Sequence, residues 1–204
     1  MTKIPSCNIL NVGILIFDDV EVLDFAGPFE VFSRTRMRPG VESRRSSEGA
    51  PFNVYSVARI KQPVIATGGL EIQPRYDFTN CPPVDLLVVP GGWGTRRLLD
   101  NDDTLSWIRK VAEGGARITS VCTGSLLLAK AGLLKNKAAT THWGALETLA
   151  ALDPTIKVCR KRYVDQGIVT SAGISAGIDM ALYVVGELLG PELSEDTARY
   201  MEYR

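Results

Sequence analysis

Thr119-Ser120-Val121-Cys122-Thr123-Gly124-Ser125 is the stretch on which the fold turns. The apolar residues from Arg117 to Val121 predict a strand, and Gly124 to Ala131 predict a short helix ended by Gly132. No loop separates the two, so Cys122 sits on the turn itself. Ser120 and Gly124 flank it by two positions, which is the pattern of a nucleophile elbow with cysteine as nucleophile and serine in place of the first glycine. Small flanks are needed because so tight a turn brings backbones together. The helix N-terminus aims N–H dipoles at the sulfur, so a lowered thiol pKa is predicted. A buried structural cysteine at a strand end satisfies the same letters, and the two readings stand side by side at this point.

Outward from the elbow, strand and helix signals alternate. Asn8 to Phe17 is a nearly continuous apolar run ending at Asp18-Asp19, as a buried strand does. Leu23 to Phe32 has helical spacing, with Pro28 assigned to the first turn. Phe52 to Val57 alternates as a strand, and Val64 to Ile72, broken by Gly68-Gly69, predicts a hairpin. Asp85 to Pro90 is a short buried strand running into Gly91-Gly92-Trp93-Gly94. Helices are expected over Leu105–Glu113, Gly144–Leu152 and Gly177–Leu189, and a last one, capped by Ser194, to about Tyr203. Ala138 to Thr141 predicts a strand, and Tyr163–Asp165 with Ile168–Ser171 a second hairpin. The alternation gives an α/β layer sandwich with a mostly parallel sheet. Without internal repeat or linker, residues 1–204 read as a single domain.

Charge and composition narrow the function. Lys and Arg number 23 and Asp and Glu 23, so no net positive charge draws the chain to nucleic acid or to an anionic membrane. No apolar run approaches the roughly 20 residues of a membrane span, and Met1 to Pro5 lacks a signal-peptide core, which predicts a cytoplasmic protein. The four cysteines, Cys7, Cys81, Cys122 and Cys159, are scattered without C-x-x-C spacing, so neither a zinc site nor a disulfide framework is expected. Cys7 and Cys81 read as loop or strand-start residues and Cys159 as part of a surface strand. His142 is the one histidine, so any imidazole chemistry within the chain rests on it. Ser33 to Ala50, with five arginines, reads as a surface loop with a weaker reading as a phosphate-binding patch.

Two further strand ends join Cys122. The paired glycines after Val88-Val89-Pro90 let backbone N–H groups face a cavity, which makes Gly92 a candidate oxyanion or substrate donor. Asp24, in Glu21-Val22-Leu23-Asp24-Phe25-Ala26-Gly27-Pro28, reads first as a helix N-cap. Facing Cys122, it would be desolvated and become a usable proton donor. Trp93 and Trp143 read equally as pocket walls or as packing. Gly173-Ile174-Ser175-Ala176-Gly177 suggests a loop close to the elbow, with Ile174 lining the pocket.

These segments, in this order, resemble the DJ-1/PfpI superfamily. The likeness runs from NVGILIFDDVEVLDFAGPFEVF through DLLVVPGGWGTRRLL and ITSVCTGSLLLAKAGLLKNKAATTHW to GIVTSAGISAGIDMAL. SVCTGS, LDFAGP and ATTHW look most like its isonitrile hydratase branch, and the last two are shared with the ligand-side domain of AraC-type regulators. The resemblance implies a flavodoxin-like three-layer sandwich, a homodimer, and a lyase that needs no metal or organic cofactor and acts on a small molecule. It implies Cys122 as nucleophile, Asp24 beside the thiol as acid and base, and Thr123 next to it. The backbone N–H groups of Thr123 and Gly92 become candidate positioning donors, with the Thr123 hydroxyl available to water or substrate.

Other chemistries of the superfamily fit less well. The protease-like branch places histidine directly after the cysteine, where this chain has Thr123, and amidotransferases need His-x-Glu, whereas Trp143-Gly144 follow His142. A glyoxalase- or deglycase-like reading through His142 and a redox sensor acting through Cys122 oxidation remain as alternatives.

Overall fold

A computed structural model describes residues 9–204; Cys7 and Asn8 lie outside the described residues. The elements run β1 (Leu10–Leu15), α1 (Val22–Arg34), β2 (Phe52–Ala58), β3 (Val64–Ile65), β4 (Glu71–Ile72), β5 (Tyr76–Asp77), β6 (Leu86–Val89), α2 (Thr95–Leu98), α3 (Asp102–Glu113), β7 (Arg117–Val121), α4 (Gly124–Lys130), β8 (Ala138–Ala139), α5 (Leu146–Leu152), β9 (Lys157–Val158), β10 (Tyr163–Asp165), β11 (Val169–Ser171), α6 (Ala176–Leu189) and α7 (Pro191–Tyr200). The main sheet has the order β10-β11-β7-β6-β1-β2-β5, and every pairing in it is parallel except β10 with β11. β3 and β4 form the expected hairpin, and β8 pairs with β9.

The central strands are apolar throughout because both faces are covered. Leu15, Leu87, Val89 and Ile118 pack on one side with α3, α4 and α5, through Ile108, Leu127 and Leu149. Val12, Ile14, Leu86 and Val88 pack on the other with α1 and α6, through Phe32, Met180 and Val184. Neighbouring residues thus serve opposite cores, as the period of two requires. The result is a flavodoxin-like three-layer sandwich. The carboxyl ends of β1, β6 and β7 lie side by side, and the site is built there.

Three local expectations are corrected. Pro28 lies inside α1 rather than in its first turn, buried and packed towards Gly177 of α6. α7 starts at Pro191 behind Gly190, so Ser194 caps nothing; its hydroxyl donates to the Leu182 carbonyl at 2.7 Å. The arginine-rich segment is a built structure around a 3-10 turn at Val41–Arg45, with Arg36 and Arg44 only 5% and 6% exposed. Arg36 donates to the carbonyls of Ser33, Thr35, Ser43 and Ser46. Arg44 donates to the carbonyls of Arg34 and Gly40, pairs with Asp196 of α7 at 2.7 Å and lies over the Tyr200 ring. Two of the five guanidiniums are therefore used to tie backbone and helix together rather than to meet a phosphate.

Candidate active site

Cys122 occupies the turn between β7 and α4 with φ of 55°, in the left-handed region that a residue bearing a side chain adopts at a cost. Its surroundings hold it there. The Cys122 N–H donates to the carbonyls of Ser171 and Ala172 at 3.2 Å, and its own carbonyl accepts from the hydroxyls of Ser125 and Thr141. A side chain at Gly124 would collide with the Val89 carbonyl, which is why the elbow needs glycine two residues after the nucleophile. The sulfur is left near the backbone N–H of Thr123 at the head of α4.

Asp24 lies in the first turn of α1, but it is not an N-cap: it is fully buried, and its Oδ2 accepts from the Gly91 N–H at 3.0 Å. Its Oδ1 is buried with no conventional partner, and Cys122 and Glu21 are the titratable groups that act on it. Burial pushes the Asp24 carboxyl up to about 7, against the opposing pull of the Gly91 N–H and of the Cys122 thiol. Burial likewise pushes the Cys122 thiol up to about 12, with the charge of Asp24 adding to it and the Thr123 N–H opposing it. The lowered thiol pKa expected from the helix N-terminus therefore does not hold in the resting site. Desolvation and a neighbouring carboxylate outweigh a helix end of one or two amides.

The amide of Gly92 has another duty than the one expected. It donates to Thr123 Oγ1 at 3.0 Å, and the Thr123 hydroxyl faces the Gly92 carbonyl at 3.2 Å. The Thr95 hydroxyl donates to the same carbonyl at 2.8 Å, and its oxygen lies 3.2 Å from Thr123 Oγ1. Thr123 thus clips the glycine loop to the elbow, and Gly91 rather than Gly92 meets the acid.

Above the thiol is a cleft of about 110 Å³ lined by Glu21, Gly92, Trp93, Arg96, Cys122, Thr123, His142 and Ile174. It brings together six of the residues singled out from sequence, with Asp24 beneath its floor. Glu21 and Arg96 were missed. Glu21 stands three residues before Asp24, and Arg96 follows the glycine loop, so position beside recognised segments was the available signal. Trp93 lies under the Arg96 guanidinium, 4.4 Å from the ring centroid, with its outer side exposed. Trp143 does not line this cleft; it is 80% exposed and walls a neighbouring groove. His142 lines both, and its Nδ1 accepts from the Gly144 N–H at 3.2 Å, which places a neutral ring's proton on Nε2. Its ring makes no hydrogen bond to Cys122 among the described residues. Ile174, with φ of 59°, presents its side chain to the cleft from the loop before α6. No cluster of potential metal ligands occurs among the described residues, and no helix there is long and apolar enough to cross a membrane.

Residues 11–187 match the DJ-1/PfpI family. The chain belongs to that family. One relative, the isonitrile hydratase of Pseudomonas putida, is 38% identical over 197 residues, which is 95% of this chain and 78% of that protein. The HTH-type transcriptional regulator GbdR of Pseudomonas aeruginosa is 29% identical over 185 residues, 90% of this chain but 48% of the regulator, so the chain spans about half of that relative's length. A solved ThiJ/PfpI family protein from Pseudomonas syringae superposes with a TM-score of 0.85 at 32% identity, covering 100% of this chain and 78% of that one. The proteins this chain is similar to thus include an enzyme and a transcriptional regulator, and the chemistry of the cleft has to separate the two readings.

Proposed function

We propose that the protein is a cofactor-independent isonitrile hydratase, a cytoplasmic lyase that acts as a homodimer and converts R–N≡C and water into the N-substituted formamide. The observation that carries this reading is the dry pairing of Cys122 and Asp24 under a cleft that admits little more than a small, slender group. The 38% identity to the Pseudomonas putida hydratase supports it.

The terminal carbon of an isonitrile must gain both a nucleophile and a proton. With one proton on the pair, that proton passes from the Cys122 sulfur to Asp24; the thiolate then forms the C–S bond while Asp24 gives the same proton to that carbon, leaving R–N=CH–S–Cys122 and the Asp24 carboxylate. Water then adds its oxygen to the carbon as one of its protons passes by way of Asp24 to the nitrogen. Collapse breaks the C–S bond, the electron pair returns to sulfur, the remaining hydroxyl proton goes to Asp24, and R–NH–CHO leaves. Thr123 keeps the Gly91-Gly92 loop in register with the elbow, so that the Gly91 N–H holds Asp24 in place.

The cleft is less suited to the alternatives. With Nδ1 of His142 engaged by Gly144, the ring offers a donor rather than a base, against a glyoxalase-like role. Cys122, only 6% exposed, offers peroxide little access, against a sensor. The test is turnover of an alkyl isonitrile, followed by loss of its N≡C infrared band and appearance of the formamide. Wild type is expected to turn over, and Cys122→Ala and Asp24→Asn are not. Full turnover in Cys122→Ala would remove the thioimidate route, and a wild type inert to isonitriles but active on methylglyoxal would replace the reading.

A further inference from the structure

The cleft over Cys122 is too small for the rest of a substrate, and the molecule provides one continuous place to put it. A groove of about 450 Å³ adjoins the cleft, with His142 and Ile174 as the shared wall. Trp143 and Leu146 give it apolar sides, suited to a hydrocarbon substituent.

Its charges are one-sided. The cleft carries Glu21 and Arg96, one of each sign, whereas the groove is lined by Arg160, Lys161 and Arg162 and by no carboxylate. Arg162 is engaged by Asp179 of α6 and by the Ser175 hydroxyl. Arg160 and Lys161 form no ion pair among the described residues. α6 starts at Ala176, directly after the lining residue Ser175, so the positive end of a 14-residue helix also lies beside the groove. Two free cations beyond an apolar wall, on a chain with no net charge, form a local device for an anion.

Resting on the isonitrile reading, we propose that the groove selects substrates whose apolar substituent ends in a carboxylate. The isocyano carbon enters the cleft at Cys122, the hydrocarbon chain passes Ile174 and His142 along Trp143, and the carboxylate meets Arg160 and Lys161. No further chemical step is involved: the groove acts on substrate binding.

The experiment compares ω-isocyanoalkanoates of increasing chain length with their methyl esters, in wild type and in the Arg160→Gln/Lys161→Gln double variant. Wild type is expected to favour the carboxylate over its own ester by about fivefold in kcat/KM at the best chain length, the size that two partly exposed ion pairs supply. The difference should lie in KM and fall with added salt. In the double variant the ratio should drop to about one. Equal use of acid and ester by wild type, or a preference that survives in the variant, overturns the proposal. If no isonitrile is turned over, the hydratase reading fails by itself and the groove is tested by protection. The ω-formamidoalkanoate and its ester are compared for slowing alkylation of Cys122 by iodoacetamide. Carboxylate-selective protection that the double variant loses supports the groove's specificity, and equal or absent protection overturns it.

Discussion

Asp24→Asn should change how stability depends on pH, and by an amount the burial of Asp24 sets. In the unfolded chain the carboxyl titrates near its ordinary value of 3.8, and in the folded protein it is held up to about 7. Between those values the folded state binds a proton that the unfolded state has lost, so wild-type stability falls as pH rises through that window. Below it both states are protonated, and above it both are ionised, so this group contributes no slope on either side. Each unit of difference corresponds to about 1.4 kcal/mol, so ionising Asp24 inside the fold costs about 4 kcal/mol once pH exceeds 7. Asparagine keeps an oxygen for the Gly91 N–H and has no charge to bury. Urea unfolding of both proteins from about pH 4.5 to about pH 8 should therefore show the variant gaining on wild type by about 3–4 kcal/mol across the range, then holding that lead. Parallel stability profiles for the two proteins would refute the claim that Asp24 is kept protonated by burial.

The same shifts predict activity and reactivity. As the pair passes from two protons to one near pH 7, kcat/KM for an isonitrile should rise about tenfold per unit below that value and level off above it, measured as a pH–rate profile. In Asp24→Asn the carboxylate that raises the thiol is gone, so alkylation of Cys122 by iodoacetamide at pH 8 should accelerate at least severalfold while hydration is lost; slower alkylation would contradict the coupling. Thr123→Val keeps the shape but removes the oxygen that accepts from Gly92, and kcat should fall about 10- to 100-fold with folding retained, measured by steady-state kinetics and circular dichroism. Arg44→Ala breaks the buried pair with Asp196; since Arg199 still contacts that carboxylate, the loss should be about 3 kcal/mol, at the low end for such pairs, read by urea unfolding.

The elbow was legible because everything that makes it is local: a strand, a helix and small residues at fixed offsets around Cys122. The parallel sheet followed from the same local logic, since continuous apolar runs such as Leu86–Val89 have to be covered on both faces. What failed was what depends on distant partners. Arg36 and Arg44 carry no mark in the sequence that tells them from Arg45, which stays on the surface; they are inside because the 3-10 turn, the end of α1 and Asp196 turn acceptors towards them. Pro28 was assigned by the usual rule for helix starts, and the rule does not know where α1 begins. Glu21 and Arg96 reach the cleft only because the turn after β1 and the loop after β6 are laid side by side, an arrangement sealed by the Glu21 N–H to Gly91 carbonyl bond at 3.0 Å.

The thiol expectation failed for an informative reason. Counting only the head of α4 makes Cys122 an anion, and Asp24 at its ordinary value would be an anion beside it. A site with both groups ionised at neutral pH has a nucleophile but no proton to give, and addition across an isonitrile carbon needs both. Burial raises both groups together, so above about pH 7 the pair holds one proton between its two members. Moving that proton from sulfur to carboxyl generates the nucleophile and the acid at once, between a cysteine 6% exposed and a fully buried carboxyl. The apparent pKa values of a resting thiol and a resting carboxyl thus understate their reactivity. What matters for the addition is the free-energy gap between the two placements of the shared proton, and the Thr123 N–H, by favouring the thiolate, and the dry surroundings of Asp24, by favouring the acid, both narrow it.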